Sequence, residues 1–401
     1  MKLDGRSFGC GLVVGAILTS VTCAVGVFLV AYRMNKSRQN VATSLAGTAT
    51  SVAGDERVSQ LLAPIRQNHG VPAIAAALVT SKGIVAVGAV GGRKRGADIG
   101  VTPDDLWHLG SDTKAMTATL VARLVEQGKL KWETTVVEIF PEESPRFHSD
   151  VKSVTMLHLL SHRAGLAPNV SWSRFSSDDV KPERLKIVRE ELAKSPRHQP
   201  GSHYEYSNLG YVIAGAMVEK VTGKTWEQAM QDEIFTPLEM KSAGFGGTGK
   251  VGEINQPWPH TSDGRPVAKN GPATDNPPVM GPAGRVHCTI QDWAKFIQDQ
   301  LRGARGEPAL LKPESYQKLH TPPFGGDYAL GWVTAERGWG GGKVLNHGGD
   351  NTMNCANVWI APQRDFAILV CVNQGGDTAF KAADEAVGAL IKLREEKPPA
   401  K

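Results

Sequence analysis

Two pairs of short apolar runs lie near opposite ends of the chain: Ala73 to Val79 with Ile84 to Val90, and Cys355 to Ile360 with Phe366 to Val372. Apolar runs of this length bounded by turn residues read as strands. The turns within each pair, Ser81-Lys82-Gly83 and Pro362-Gln363-Arg364-Asp365, are short enough to require antiparallel neighbours. Leu330 to Thr334 and Val344 to Asn346 add two further strands to the late group. The intervening sequence is mostly helical in pattern. Ser111 to Gln127 places Met116, Leu120, Val121 and Leu124 on one face and ends before Gly128. A helical stretch at about 147 to 245 includes Val154 to Leu160 and Gly210 to Val221, and a Pro/Gly-rich loop follows from Gly246 to Gly284. Val58, Leu61, Leu62 and Ile65 read as an opening helix that Pro64 should kink or end, and Phe380, Ala383, Val387, Leu390 and Ile391 mark a closing one. The chain therefore predicts one α/β (α+β) domain whose sheet is assembled from both of its ends.

The segment before this body has a different composition. Phe8 to Tyr32 contains no charged residue and is long enough to cross hydrocarbon as a helix. Lys2, Arg6 and the small-residue site Thr22-Cys23-Ala24 also fit a cleaved signal, but the apolar run continues beyond that site, which favours a retained anchor. Residues 1–7 form a short flank, 33–54 a polar, Ser/Thr/Ala/Gly-rich linker, 55–395 the folded body and 396–401 a tail. With 45 basic against 40 acidic residues and no dense cationic stripe, nucleic acid is excluded as an expected partner. Cys288, Cys355 and Cys371 in the body have no Cys-x-x-Cys spacing, and Cys371 reads as a small buried hydrophobe.

Several chemical motifs fail on context. Gly5-Arg6-Ser7-Phe8-Gly9 enters the apolar run rather than a strand–turn–helix elbow. Gly244 to Lys250 begins like a phosphate-binding loop, but Val251 stands where magnesium chemistry needs a hydroxyl. His158 and His162 have metal-ligand spacing without the glutamate of a zinc protease, so they read as structural histidines. Ser-x-x-Lys occurs at Ser111/Lys114, Ser149/Lys152 and Ser315/Lys318. Only Ser111 follows an apolar lead-in and a glycine at the start of an amphipathic helix, where the amine one turn on can reach the hydroxyl. Tyr206 is the one tyrosine with an asparagine, Asn208, two positions later, ahead of a helix. Asn346-His347-Gly348-Gly349-Asp350 puts glycines at a strand edge, where backbone can approach a ligand.

In this order and spacing, Leu109-Gly110-Ser111-Asp112-Thr113-Lys114, Tyr206-Ser207-Asn208 and His347-Gly348-Gly349 resemble the serine β-lactamase and penicillin-binding protein superfamily, nearest its class C β-lactamase-like hydrolases. Leu159 to Leu166, Gly281 to Gly284 and Tyr328 to Trp332 support the likeness, which covers about residues 55 to 392. It implies an antiparallel sheet flanked by helices, with an inserted all-helical subdomain at about 147–280. It also implies acyl transfer through a covalent serine ester, with Ser111 as nucleophile, Lys114 and Tyr206 handling its proton, and Asn208, His347, Gly348 and Gly349 orienting amine and substrate. The oxyanion hole would be the backbone N–H groups of Ser111 and Asp350.

No metal or organic cofactor is implied. His347 stands where β-lactamases place a lysine beside the substrate carboxylate, so an ester or peptide-like amide is a better expected substrate than a β-lactam. An Asp350 carboxylate turned into the site would oppose a developing oxyanion. The expected partners are a small-molecule or peptide-like acyl substrate and, through the N-terminal segment, a membrane, with the catalytic domain on the outer side or secreted if that segment is cleaved. The alternative is a membrane-tethered, non-catalytic scaffold that retains the pocket.

Overall fold

A computed structural model describes residues 52–395. The expected flank, the uncharged run, the Gly5 to Gly9 motif, the tail and the linker up to residue 51 lie outside the described residues. Among the described residues no helix is long and apolar enough to cross a membrane.

Strands β1 (Val52–Gly54), β2 (Ala73–Thr80) and β3 (Gly83–Gly91) come from the start of the body, and β4 (Leu106–His108), β5 (Gly244–Phe245) and β6 (Val286–Thr289) from its middle. The last four are β7 (Val333–Arg337), β8 (Gly342–Asp350), β9 (Cys355–Ala361) and β10 (Phe366–Val372). Seven of them form an antiparallel sheet in the order β1-β3-β2-β10-β9-β8-β7, so the two chain ends meet where β2 pairs with β10, Ile74 opposite Val372 and Val79 opposite Ala367. The other three form a small sheet, β4-β6-β5. β1 corrects the expected linker: Val52–Gly54 pairs with Val90 to Gly88 instead of belonging to a polar tether. Backbone pairing to an available sheet edge is indifferent to the small residues that made this stretch look like a linker.

The period-two alternation of the strands divides the interior into two cores. Ile74, Ala76 and Leu78 of β2 and Ile368, Val370 and Val372 of β10 face one way, against α1 (Glu56–His69) and the closing helix, Asp377–Glu395. Ala73, Ala75, Ala77, Ala367, Leu369 and Cys371 face the other, against α2 (Thr113–Glu126) and the rest of the molecule. Burial on both faces explains why these strands read as unbroken apolar runs.

Helix α1 does not stop at Pro64. Its buried stripe, Val58, Leu62 and Ile65, spans the proline, and docking on the sheet outweighs the one backbone hydrogen bond that proline cannot donate. The expected insert is helical but not all-helical. It holds Met156–Leu160, α3 (Val180–Glu191), α4 (Asn208–Thr222) and Trp226–Met230, yet Gly244–Phe245 is strand β5 and 246–277 is largely turns and loop. Helical structure also begins earlier than 147, at Val136–Ile139.

A buried guanidinium joins these pieces: Arg184 of α3 donates to Glu219 of α4 (2.5 Å), to Glu227 (2.5 and 3.1 Å) and to the carbonyls of Pro278 and Val279 (3.0 Å each). Every donor direction used is satisfied, which is the condition under which a buried charge is tolerated. Arg184 thereby anchors the turn that leads into Gly281–Gly284, a segment that reappears in the site.

Pro64 is exposed, so replacing it removes no packing. Pro64→Ala is expected to raise unfolding free energy by about 1–3 kcal/mol through restored helix bonding, measured by denaturant titration; no gain would mean that the proline's rigidity in the unfolded chain offsets the lost bond.

Candidate active site

The site begins at a backbone contact that only glycine permits. Gly110, between β4 and α2, has φ +52°, and a Cβ there would sit 2.6 Å from the Asp350 nitrogen at the end of β8. From the other side, a Cβ on Gly349 would fall 1.9 Å from the Leu109 carbonyl oxygen. The turn carrying Ser111 is thus pressed directly onto the last residues of β8. Ser111 lies in a 3-10 turn, Gly110–Asp112, that runs straight into α2.

Lys114, in the first turn of α2, is wholly buried and its amine reaches three acceptors: the Ala283 carbonyl at 2.6 Å, Asn208 Oδ1 at 2.8 Å and Ser111 Oγ at 3.0 Å. As an ammonium it donates to all three. As a neutral amine it keeps its two hydrogens for Ala283 and Asn208 and turns its lone pair toward Ser111. Burial pushes its pKa well below the ordinary lysine value, with Asp112 pulling the other way, so the neutral form is accessible. Asn208 is in turn oriented by donating to Asn169 Oδ1 at 2.9 Å.

Tyr206 precedes α4, its phenol facing Ser111 closely enough to affect its titration and its ring centroid 4.7 Å from the Lys114 amine. Burial drives the phenol pKa upward, so Tyr206 carries its proton at neutral pH. Beneath it lies His162, one of the two histidines read as structural. Its Nδ1 accepts from the Ser207 N–H at 3.0 Å and its ring packs 4.3 Å from Tyr206, 4.5 Å from Tyr328 and 5.2 Å from Tyr211. Its backbone is left-handed, φ +59°, and burial holds it neutral. The other, His158, caps its own helix by accepting from Thr155 N at 3.2 Å.

The structure alters the expectation for His347 and Gly348 and fixes the direction of the Asp350 carboxylate. His347 is 4% exposed, with Nε2 at 3.2 Å from the Tyr328 hydroxyl and Nδ1 at 3.7 Å from Asp112. Burial, then repulsion from Lys114, lowers its pKa to about 3, so it is neutral and turned inward instead of offering a cation to a substrate carboxylate. Gly348 faces away from Ser111: period-two alternation points it at Phe380, 3.0 Å from where its Cβ would lie. Asp350 turns its carboxylate out of the site, accepting from the backbone N–H of Thr352 and from that of Gly376 at 2.7 Å. It therefore does not oppose an oxyanion.

Spatial neighbours outside the three principal motifs complete the site. Ala283 and Tyr328 lie in stretches that support the family likeness without a role of their own, His162 reads as structural, and Asn169 carries no sequence signal. Asp112 sits between Ser111 and Lys114 in sequence, yet it is buried with neither oxygen hydrogen-bonded. Ser149, Lys152, Ser315 and Lys318 are remote in role; Ser315 simply bonds Glu126 at 2.6 Å. In the segment resembling a phosphate loop, Gly244 and Phe245 belong to β5, and the Lys250 N–H bonds Asn255.

A serine with a desolvated lysine one turn on, set against the edge-proximal strand of an antiparallel sheet, is the design of the serine β-lactamase and penicillin-binding protein superfamily. The chain belongs to the Beta-lactamase family, whose profile matches residues 58–392. It is 27% identical to Penicillin-binding protein 4 of Amycolatopsis lactamdurans over 353 residues, 84% of this chain and 91% of that protein. It is 30% identical to the unguisins hydrolase ungD' of Aspergillus campestris over 294 residues, covering 68% of this chain but only 53% of that longer protein. Among solved structures, the octameric penicillin-binding protein homologue from Pyrococcus abyssi superposes with TM-score 0.68 at 22% identity, over 84% of this chain and 77% of that one. D-alanine carboxypeptidase AmpC from Burkholderia cenocepacia gives 0.65 at 20%, over 83% and 97%. These structures share the fold.

Burial raises the Asp112 carboxyl pKa well above its ordinary value, with Lys114 opposing. A pKa higher in the folded than in the unfolded state contributes stability that is complete below the unfolded value and lost as pH rises through the folded one. Asp112→Asn, which does not titrate, is expected to flatten the fall in Tm as pH rises above the ordinary aspartate value of about 4; parallel pH profiles by thermal denaturation would show the carboxylate to be fully compensated.

Proposed function

We propose that this protein hydrolyses an ester or peptide-like amide through an acyl-Ser111 intermediate. The observation that carries the reading is the buried Lys114 amine, held by Ala283 and Asn208 with its remaining valence directed at Ser111 Oγ. In this mechanism neutral Lys114 takes the Ser111 proton as Oγ attacks the carbonyl carbon, and the negative charge developing on the carbonyl oxygen is met by the N–H groups of Ser111 and Asp350. Tyr206, protonated at neutral pH, relays a proton to the leaving group and then takes part in activating the water that releases the acyl chain. Two curated relatives named for penicillin binding and for hydrolysis support acyl chemistry of this kind.

The substrate reading follows from His347. Its imidazole is buried and neutral, so that position offers no charge to a substrate carboxylate, which favours an uncharged acyl substrate over a β-lactam or a C-terminal D-amino acid. The uncharged run from Phe8 to Tyr32 supports tethering of the domain to a membrane, and we place the domain on its outer face. A reporter fused after Lys36 tests that topology, and cytoplasmic exposure would overturn it.

A fluorophosphonate probe is expected to label the wild-type protein at one site and to leave Ser111→Ala unlabelled. Equal labelling of the two, or none of either, would favour the alternative of a non-catalytic scaffold. Lys114→Ala and Tyr206→Phe should each slow acylation by about 10²–10⁴-fold. In wild type the acylation rate should rise with pH and reach its plateau below the ordinary lysine pKa, because the active amine is the neutral one. Kinetic comparison of a short uncharged ester with its carboxylate-bearing analogue and a chromogenic β-lactam is expected to favour the first; preference for the carboxylate would point to a cation other than His347.

A further inference from the structure

The two N–H groups assigned to the oxyanion hole belong to elements far apart in sequence, the Ser111 turn and the end of β8, and a buried carboxylate lies behind both. Asp275, at the end of the long loop, has no exposed side-chain surface. Its Oδ2 accepts from His108 Nε2 at 2.8 Å and from Arg285 Nε at 3.2 Å, while its Oδ1 accepts from Asn351 Nδ2 at 2.9 Å. Each of the first and last contacts is passed on to backbone. His108 Nδ1 accepts from the Gly110 N–H at 3.0 Å, which requires the ring proton to sit on Nε2, facing Asp275. Asn351 Oδ1 accepts from the N–H groups of Met353 and Asn354, at 3.2 and 2.9 Å, closing the turn that follows Asp350.

Gly110 immediately precedes Ser111, and Asn351 immediately follows Asp350. We propose that Asp275 is a positioning residue for catalysis: through His108 and Asn351 it sets the separation and direction of the two oxyanion-hole donors. The proposal rests on the acyl-transfer reading for its catalytic consequence but not for its geometry. The strand contact of Gly110 and Gly349 brings the two halves together; Asp275 holds their outer sides in register, so the hole is preformed before substrate arrives. Burial alone would raise the Asp275 pKa, but His108, Arg285 and Asn351 together hold it below the ordinary aspartate value, so the carboxylate stays charged and the charge-assisted bonds persist. A hole that is preformed in this way stabilises the tetrahedral state more than the planar ground state.

Two variants test this in the full-length protein. Asp275→Asn should accelerate amide hydrogen exchange at least about tenfold in both segments, residues 109–112 and 350–354, while leaving the β2–β10 pairing protected. Asn351→Ala, which cuts one arm, should accelerate exchange in 350–354 only. Unchanged exchange at 109–112 in Asp275→Asn, or a uniform rise through the whole chain, would overturn the proposal. On an uncharged ester, Asp275→Asn should lower kcat on the order of 10- to 100-fold with KM nearly constant, the loss expected of misplacement by a fraction of an ångström to an ångström. Affinity for a boronic acid, a tetrahedral mimic, should fall in proportion. A loss confined to KM would overturn the positioning role. If wild type neither turns over nor labels, the hydrolase reading fails, and the exchange measurement still decides whether Asp275 organises these two turns.

Discussion

The structure around Ser111 depends on placing one amine out of water. Lys114 is surrounded by acceptors from three separate pieces of chain: the serine turn before its own helix, Asn208 at the start of α4 and the Ala283 carbonyl. A lysine in this position loses hydration and regains three directed bonds, so its burial is tolerated while its basicity falls. The rest of the helical lobe can be understood as support for those acceptors. Arg184 ties α3 and α4 to Pro278 and Val279, and the chain leaves that anchor directly for Ala283. His162 props Ser207 and Tyr206 from below, which places Asn208 at the head of α4.

A second constraint is steric. The serine turn and β8 approach so closely that both Gly110 and Gly349 are required, one by its positive φ and the nearby Asp350 amide, the other by the Leu109 carbonyl. This contact ties Ser111 to the sheet, and the early and late strands of the sheet are joined where β2 pairs with β10. Polar groups distant in sequence therefore share one frame, the condition under which preorganised donors are worth more than donors that must move. Asp275 acts on the same contact from behind.

Much of this was legible in the sequence where local pattern and tertiary role coincide. The boundaries of β10 and the amphipathic character of α2 and the closing helix follow from apolar periodicity, since each buries the stripe its spacing defines. Ser111, Lys114, Tyr206 and Asn208, which the fold brings together, stood out because of i,i+3 and i,i+2 spacing at helix starts. Position in a motif says nothing about which face of a strand a residue takes or where a carboxylate finds its donors, so the inward turn of His347, the outward face of Gly348 and the direction of the Asp350 carboxylate are not readable from spacing. Pro64 was read as a helix break because propensity is local, whereas the stripe around it is buried by a sheet. Val52–Gly54 was read as tether because its pairing partner lies in another segment.

The sequence by itself determined the longer elements and brought Ser111, Lys114, Tyr206 and Asn208 forward, since both are properties of short stretches: apolar period, turn residues, and a hydroxyl one helical turn from an amine. Only the tertiary structure decided the electrostatics. Whether Lys114 is neutral, whether His347 meets substrate or core, whether Asp350 faces the oxyanion and which carboxylate stands behind the hole all depend on burial and on hydrogen-bond partners. Those partners, Ala283, Tyr328, Gly376 and Asp275 among them, come from distant parts of the chain. Solvation and directed bonding are set by what surrounds a group in space, and no spacing along the chain encodes them.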